Sequence, residues 1–93
     1  MHHFNIRALE YLNGLSKYGS LRKAAKMLNV DPAAMSRMLG QLEAQVEMKV
    51  WERNNRQSYL TEAGNELLNH YRNIIRSEAA VLSQLTKLKN GQK

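Results

Sequence analysis

Two segments that favour helix lie only a few residues apart, and this short separation is the feature that most restricts the fold. Ser20 is a good N-cap for a helix that ends near Leu28 and Asn29. Asp31 can cap the next helix, because Pro32 disfavours helical geometry at the preceding residue and itself suits the first helical position. Two helices joined by about three residues predict a helix-turn-helix.

Most of the remaining chain is also expected to be helical, because one proline and five glycines in 93 residues are too few turn-forming residues for a sheet-rich domain. The apolar spacing predicts a first helix over residues 5–18, ended by Gly19 in a left-handed conformation. Thr61 can cap a last helix that runs to Lys89. That helix would be roughly 43 Å long, which exceeds what so small a domain can cover.

A short hairpin is predicted between the third and the last helix, because two apolar triplets flank a polar stretch. Its strands are placed at residues 49–51 and 58–60, with Asn55 in the turn. Trp51 and Tyr59 could form a platform on which bases stack, although packing of both rings on the core is the more ordinary role.

The chain carries a formal charge of +6, which favours an anionic partner such as a nucleic acid. Residues 17–56 contain eight Lys and Arg against four acids. Arg22 and Lys23 belong to a part of the second helix without acids, which supports phosphate contact by that helix. Arg53 and Arg56 on the hairpin could reach phosphates or a minor groove, although Arg53 could instead form a structural ion pair with Glu43 or Glu52 beside the hairpin.

The third helix is expected to present a small, polar face to solvent, since its large apolar residues share the opposite face. Ser36 and Arg37 lie on the polar face, and a helix with small neighbours there fits a major groove about 12 Å wide. An ordinary helical bundle whose third helix has a solvated face is the alternative.

Other functional classes are weakly supported by the sequence. Without cysteine, the chain has no thiol for catalysis, disulfides or zinc. His2 and His3 lie at the start and His70 stands alone, so no enzyme activity, metal site or cofactor is expected in this domain. The apolar stretches are too short for a membrane span or a signal peptide, so we expect a soluble, cytoplasmic protein without a membrane partner.

The last helix carries an apolar stripe whose members include residues seven apart. Because the small domain cannot cover its far end, we expect two copies to pair along it as a homodimer, with packing against a further domain as the alternative. A two-fold dimer would present its third helices to half-sites about 34 Å apart, or a multiple of that distance. The predicted dimerisation residues are Leu67, Tyr71, Ile74, Ile75, Val81, Leu82, Leu85 and Leu88.

A set of short motifs recurs along the chain in one register without gaps. They are Gly19-Ser20-Leu21, Lys23-Ala24-Ala25, Leu28, Val30, Ala34, Ser36-Arg37, Leu42-Glu43, Glu52-Arg53 and Leu60-Thr61-Glu62-Ala63-Gly64. In these residues the chain resembles the N-terminal DNA-binding domain of LysR-type transcriptional regulators over nearly its whole length.

The resemblance implies a mainly α fold, with a winged helix-turn-helix of three helices and a two-stranded hairpin wing over residues 1–60. A long linker or dimerisation helix would follow over residues 61–90. The family's C-terminal effector-binding domain, where a small-molecule effector would bind, would then be absent.

The resemblance also implies double-stranded DNA as the partner, with an inverted-repeat operator. The helix over residues 31–46 would read bases in the major groove, and the wing over residues 49–60 would lie along the backbone or minor groove. A protein-interaction module that uses the same surface without DNA is the alternative. The predicted base-reading residues are Pro32, Ala33, Ser36 and Arg37. The predicted contacts to phosphate or minor groove are Ser20, Arg22, Lys23, Arg53 and Arg56.

Several residues depart from the pattern of the resembled family. Pro32 stands where a polar residue such as Gln is usual, and Ala33 stands where the family has its proline, so one base-reading hydrogen-bond group is absent. Glu47 replaces a usual glycine, Ser58 replaces a usual apolar residue, and Gly40 lies inside the third helix.

Overall fold

A computed structural model describes residues 3–55 and 57–91, which form four helices and one two-stranded hairpin. The mainly helical winged helix-turn-helix with a long last helix, as predicted, is confirmed. In chain order the elements are α1 (Ile6–Tyr18), α2 (Leu21–Leu28), α3 (Pro32–Val46), β1 (Trp51–Asn54), β2 (Gln57–Leu60) and α4 (Glu62–Lys89). We call β1, β2 and the turn between them the wing.

The helices begin and end at the residues whose side chains favour those positions. Ser20, Asp31 and Thr61 each precede a helix, and each side chain accepts a hydrogen bond of 3.0 to 3.1 Å from the backbone N–H three residues later. Gly19 and Asn29 follow α1 and α2 in left-handed conformations, with φ of 81° and 59°. These caps confirm the short connection between α2 and α3.

The hydrophobic core lies around α1, which packs against α2, α3, the wing and the start of α4. Ala24 and Ala25 are fully buried, and their small side chains let α2 approach α1 closely. Val30 packs against the core from the turn between α2 and α3. The largest fully buried side chains are Leu9, Leu12, Leu15, Met35, Leu39 and Val50.

The hairpin is present, but its first strand begins later than predicted. The strands pair antiparallel from Trp51 opposite Leu60 towards the turn, so the predicted strand at residues 49–51 is wrong by two residues at its start. Residues 52–54 are polar and exposed, and such a stretch lacks the apolar alternation that identifies a strand in sequence. Asn55 occupies the turn with φ of 51°, as predicted.

Alternation along the strands divides the side chains of the wing between two faces. Trp51, Arg53 and Ser58 share the face that turns towards the core, since they occupy alternate or directly paired positions. Trp51 packs against the core, as expected. Tyr59 lies on the other face and is 51% exposed, so the expectation that its ring packs on the core is wrong.

Val50 connects α3, the wing and α4. Its backbone N–H donates to the Oε2 atom of Glu43 at 2.9 Å, and its carbonyl oxygen accepts from the N–H of Thr61 at 3.1 Å. The same carbonyl lies so close to Gly64 that a Cβ atom there would overlap it. Glycine at this position therefore allows α4 to begin against the strand that precedes the wing.

Candidate nucleic-acid interface

The face of α3 that points away from the core carries all four predicted base-reading residues. Met35, Leu39 and Leu42 hold the opposite face in the core and so fix the rotation of the helix about its axis. Small residues surround the two longer polar side chains, which leaves room for a groove edge to approach closely. The exposed residues of this face are Pro32, Ala33, Ser36, Arg37, Gly40, Gln41 and Ala44.

The N-terminus of α2 lies beside this face and carries three of the predicted phosphate contacts. The Ser20 hydroxyl accepts a hydrogen bond from the Lys23 N–H, so its own hydrogen remains available to donate. Arg22 and Lys23 are exposed in the first turn. The positive end of the helix and two cationic side chains thus face the same region, which favours a negatively charged ligand.

An open groove of about 730 Å³ separates the N-terminus of α2 from the wing. It brings together residues that are distant in sequence: Ser20 and Arg22 from one side, Arg53 and Ser58 from the wing, and Pro32 from the start of α3. We call it the wing groove. The Ser58 N–H donates to the carbonyl oxygen of Gly19 at 2.8 Å and so fastens the wing beside the groove.

Arg53 also borders a second hollow, of about 280 Å³, which lies between α3 and β1 and includes Ser36. Its guanidinium carbon lies 5.4 Å from the centre of the Trp51 ring. Glu43, one possible structural partner of Arg53, instead forms an ion pair with Lys49 at 3.6 Å. Arg53 therefore stands between the N-terminus of α2 and the exposed face of α3.

Arg56, the other predicted cation of the wing, lies outside the described residues. Sequence reasoning missed two features of this region, the contact of Arg53 with the Trp51 ring and the presence of Ser58 in the wing groove. The Ser58 hydroxyl oxygen is buried and has no hydrogen-bond partner among residues 3–55 and 57–91. Strand alternation could have found both features if residues 52–54 had been assigned to a strand, since residues two apart share a face.

The apolar stripe of α4 is covered near its start and exposed beyond it. Leu67 is only 7% exposed and packs within the chain's own core, which leaves it little surface for the predicted dimer interface. Tyr71 and Ile74 are partly buried against the same core. The exposed part of the stripe, 45% to 68% accessible, consists of Ile75, Val81, Leu82, Leu85 and Leu88.

The Tyr71 phenol lies on the part of α4 that the core covers only partly. Partial burial, followed by the nearby Glu10 and Glu78 carboxylates, raises the pKa of Tyr71 above its ordinary value. The phenol therefore remains protonated and uncharged at neutral pH. Elsewhere in the described chain no three His, Asp or Glu side chains converge as a metal site would require. None of the described helices is long and apolar enough to cross a membrane.

An exposed recognition face on a helix-turn-helix, together with a cation-bearing hairpin beside it, defines a winged helix-turn-helix protein. A family model described as bacterial regulatory helix-turn-helix protein, lysR family, matches residues 6–65. The chain belongs to this family.

Individual relatives agree with that membership. A probable RuBisCO transcriptional regulator of Porphyra purpurea is 39% identical over 67 residues, which cover 72% of this chain and 21% of the relative. Full-length LTTR LysG from Corynebacterium glutamicum has a TM-score of 0.82 at 28% identity, over 90% of this chain and 29% of that protein. The CbnR DBD in complex with DNA has a TM-score of 0.79 at 27% identity, over 91% of this chain and 98% of that one. The chain thus spans less than a third of the first two proteins.

Proposed function

We propose that this chain binds double-stranded DNA sequence-specifically, as the DNA-binding domain of a bacterial transcriptional regulator rather than as an enzyme. The observation that carries the proposal is the position of Arg53, which borders Ser20 and Arg22 in the wing groove and Ser36 in the neighbouring hollow. Cations therefore flank the N-terminal half of the exposed α3 face. The CbnR DBD of similar fold was solved in complex with DNA, which supports the same partner here. Action on a bacterial chromosome would locate the protein in the cytoplasm.

Base reading is assigned to the exposed face of α3. An α-helix fits the major groove, and Arg37 can donate two hydrogen bonds to the O6 and N7 atoms of a guanine. Ser36 can donate a hydrogen bond to a base edge or accept one from it. Pro32 and Ala33 can make apolar contacts with the methyl group of a thymine. The sequence preference should therefore combine one strong hydrogen-bonded position with weaker apolar ones.

Backbone contact is assigned to the wing groove and the first turn of α2. Ser20, Arg22, Lys23 and Arg53 are exposed or border the groove, and they can donate to phosphate oxygens on the strands beside the major groove. Such contacts carry no sequence information, but they fix the position of α3 along the duplex. Arg56 stays a prediction from the sequence.

Homodimerisation is assigned to the exposed part of the α4 stripe. The 28 residues of α4 extend about 42 Å, and the five large apolar side chains beyond Ile74 lie outside the reach of the core. Burial of each in a helix pair would contribute about 1.5–3 kcal/mol. Tyr71 and Ile74, which the core covers only in part, would border that pair. Two copies related by a two-fold axis would favour an operator that is an inverted repeat.

Selection of bound sequences from random duplex DNA tests the proposal. We expect recovery of an inverted repeat, bound at least about 10³-fold more tightly than random duplex at physiological salt. The affinity for either duplex should fall with salt, with a slope of about −0.9 for each phosphate contacted. Binding that neither selects a sequence nor responds to salt would contradict the proposal and favour a protein-interaction module.

A further inference from the structure

The Arg53 side chain is exposed, but an aromatic ring restricts where its guanidinium can lie. The guanidinium carbon is 5.4 Å from the centre of the Trp51 ring, within the roughly 6 Å range of a cation–π contact. The ring itself is fixed, because Trp51 is partly buried and packs against the core. An exposed arginine thus lies against a partly buried ring on the same face of β1.

The contact with the ring leaves the hydrogen-bonding capacity of Arg53 unused. A guanidinium has five N–H donors, and a cation–π contact needs no hydrogen-bond acceptor. Among residues 3–55 and 57–91, no carboxylate lies within ion-pair distance of Arg53. The cation is therefore held in place without being neutralised, as an anion-binding group requires.

The position of the stack relates it to the proposed DNA contact. Arg53 borders both the wing groove and the hollow that contains Ser36, and Trp51 lines that hollow. We propose that Trp51 is a positioning residue, which holds the Arg53 guanidinium where it donates to a backbone phosphate beside α3. The inference rests on the proposed function. Binding is favoured because the side chain loses less rotamer freedom when the phosphate arrives.

The test measures the affinity for a random-sequence duplex at several salt concentrations. Trp51→Leu should weaken binding about two- to five-fold, whereas Trp51→Phe, which keeps an aromatic face, should stay within about two-fold of the original. In an Arg53→Ala background, Trp51→Leu should cause no further loss, because the group that it positions is already gone. Tyr18→Leu is the matched control, because the Lys17 ammonium nitrogen lies 5.5 Å from the centre of the Tyr18 ring in a similar contact. Neither Lys17 nor Tyr18 borders the wing groove or the hollow beside Ser36, so this substitution should leave the affinity unchanged.

Thermal unfolding of each variant separates positioning from folding. Equal weakening by Trp51→Leu in both backgrounds, or none in either, would overturn the positioning role. If Trp51→Leu fails to fold, Arg53→Lys decides, because a lysine keeps the charge but lacks the planar fork. Binding by Arg53→Lys equal to that of the original chain would then overturn the inference. Absence of salt-dependent binding by the unsubstituted chain would instead refute the proposed function.

Discussion

Gly64→Ala is expected to destabilise the fold strongly, although alanine is normally the better residue in a helix. The added Cβ would overlap the Val50 carbonyl oxygen, although a carbon and an oxygen that are not bonded ordinarily stay about 3.3 Å apart or more. The Cβ would also lie 3.2 Å from the Leu60 Cβ atom. The start of α4 must move away to relieve this overlap. That movement stretches the 3.1 Å hydrogen bond from the Thr61 N–H to the same carbonyl, which is otherwise buried.

The magnitude follows from the contacts that would be lost. Overpacking costs about 1–3 kcal/mol, and an unsatisfied buried carbonyl costs a similar amount. The gain in helix propensity is at most about 1 kcal/mol. The free energy of unfolding should therefore fall by about 1–5 kcal/mol for Gly64→Ala.

Gly40→Ala is the matched control for this substitution. Gly40 also lies in a helix, but a Cβ there would meet no atom within 4 Å. The same chemical change should therefore stabilise the chain, by about 0.5–1 kcal/mol. Urea unfolding of both variants and the original chain at one fixed protein concentration measures the change, because any contribution from association is then compared at the same concentration. The steric reasoning would be refuted if Gly64→Ala were as stable as the original chain while Gly40→Ala showed its gain.

Three further substitutions address DNA reading, association and backbone strain. Arg37→Ala should weaken binding to the selected duplex by about 1–3 kcal/mol in titrations and leave the stability unchanged. Equal weakening on random duplex would show that Arg37 contacts phosphate and reads no base. Leu82→Lys should shift the sedimenting species from dimer towards monomer, whereas Ser83→Lys on the opposite face should not, and an unchanged mass for both would contradict pairing through α4. Glu47→Gly should raise the free energy of unfolding by up to about 1 kcal/mol, because Glu47 ends α3 with φ of 57°. Glu47→Ala removes the same charge without relieving the strain, so an equal gain there would argue against a backbone cause.

The helix ends were predictable because their determinants are local. The N-caps at Ser20, Asp31 and Thr61 act over three residues, and the left-handed ends at Gly19 and Asn29 depend on the conformational freedom of single residues. Such interactions are the same in any chain that carries those residues in that order. A sequence therefore contains enough information to position them.

The start of the wing and the environment of Arg53 depend instead on contacts between elements. Residue 50 lies before the strand, and its N–H donates to Glu43 of α3, an acceptor that strand propensity cannot identify. The burial of Leu67 results from the packing of α4 on α1, and periodicity alone does not show where that packing stops. The ring beneath Arg53 becomes visible only after residues 51–54 are known to form a strand.

Besides their shared packing on α1, α3 and α4 are linked through one residue, Val50. Glu43 of α3 holds the N–H of Val50, and Thr61, the N-cap of α4, donates to its carbonyl oxygen. Thr61 also donates through its hydroxyl to the carbonyl oxygen of Lys49 at 2.6 Å, so the start of α4 is fastened to two consecutive residues. In the proposed dimer α4 sets the distance between the two copies, and α3 must meet half-sites at a spacing fixed by the DNA helix. In the proposed dimer, the contacts of Val50 would therefore couple the position of α4 to that of α3, and the close approach at Gly64 would matter for operator spacing as well as for stability.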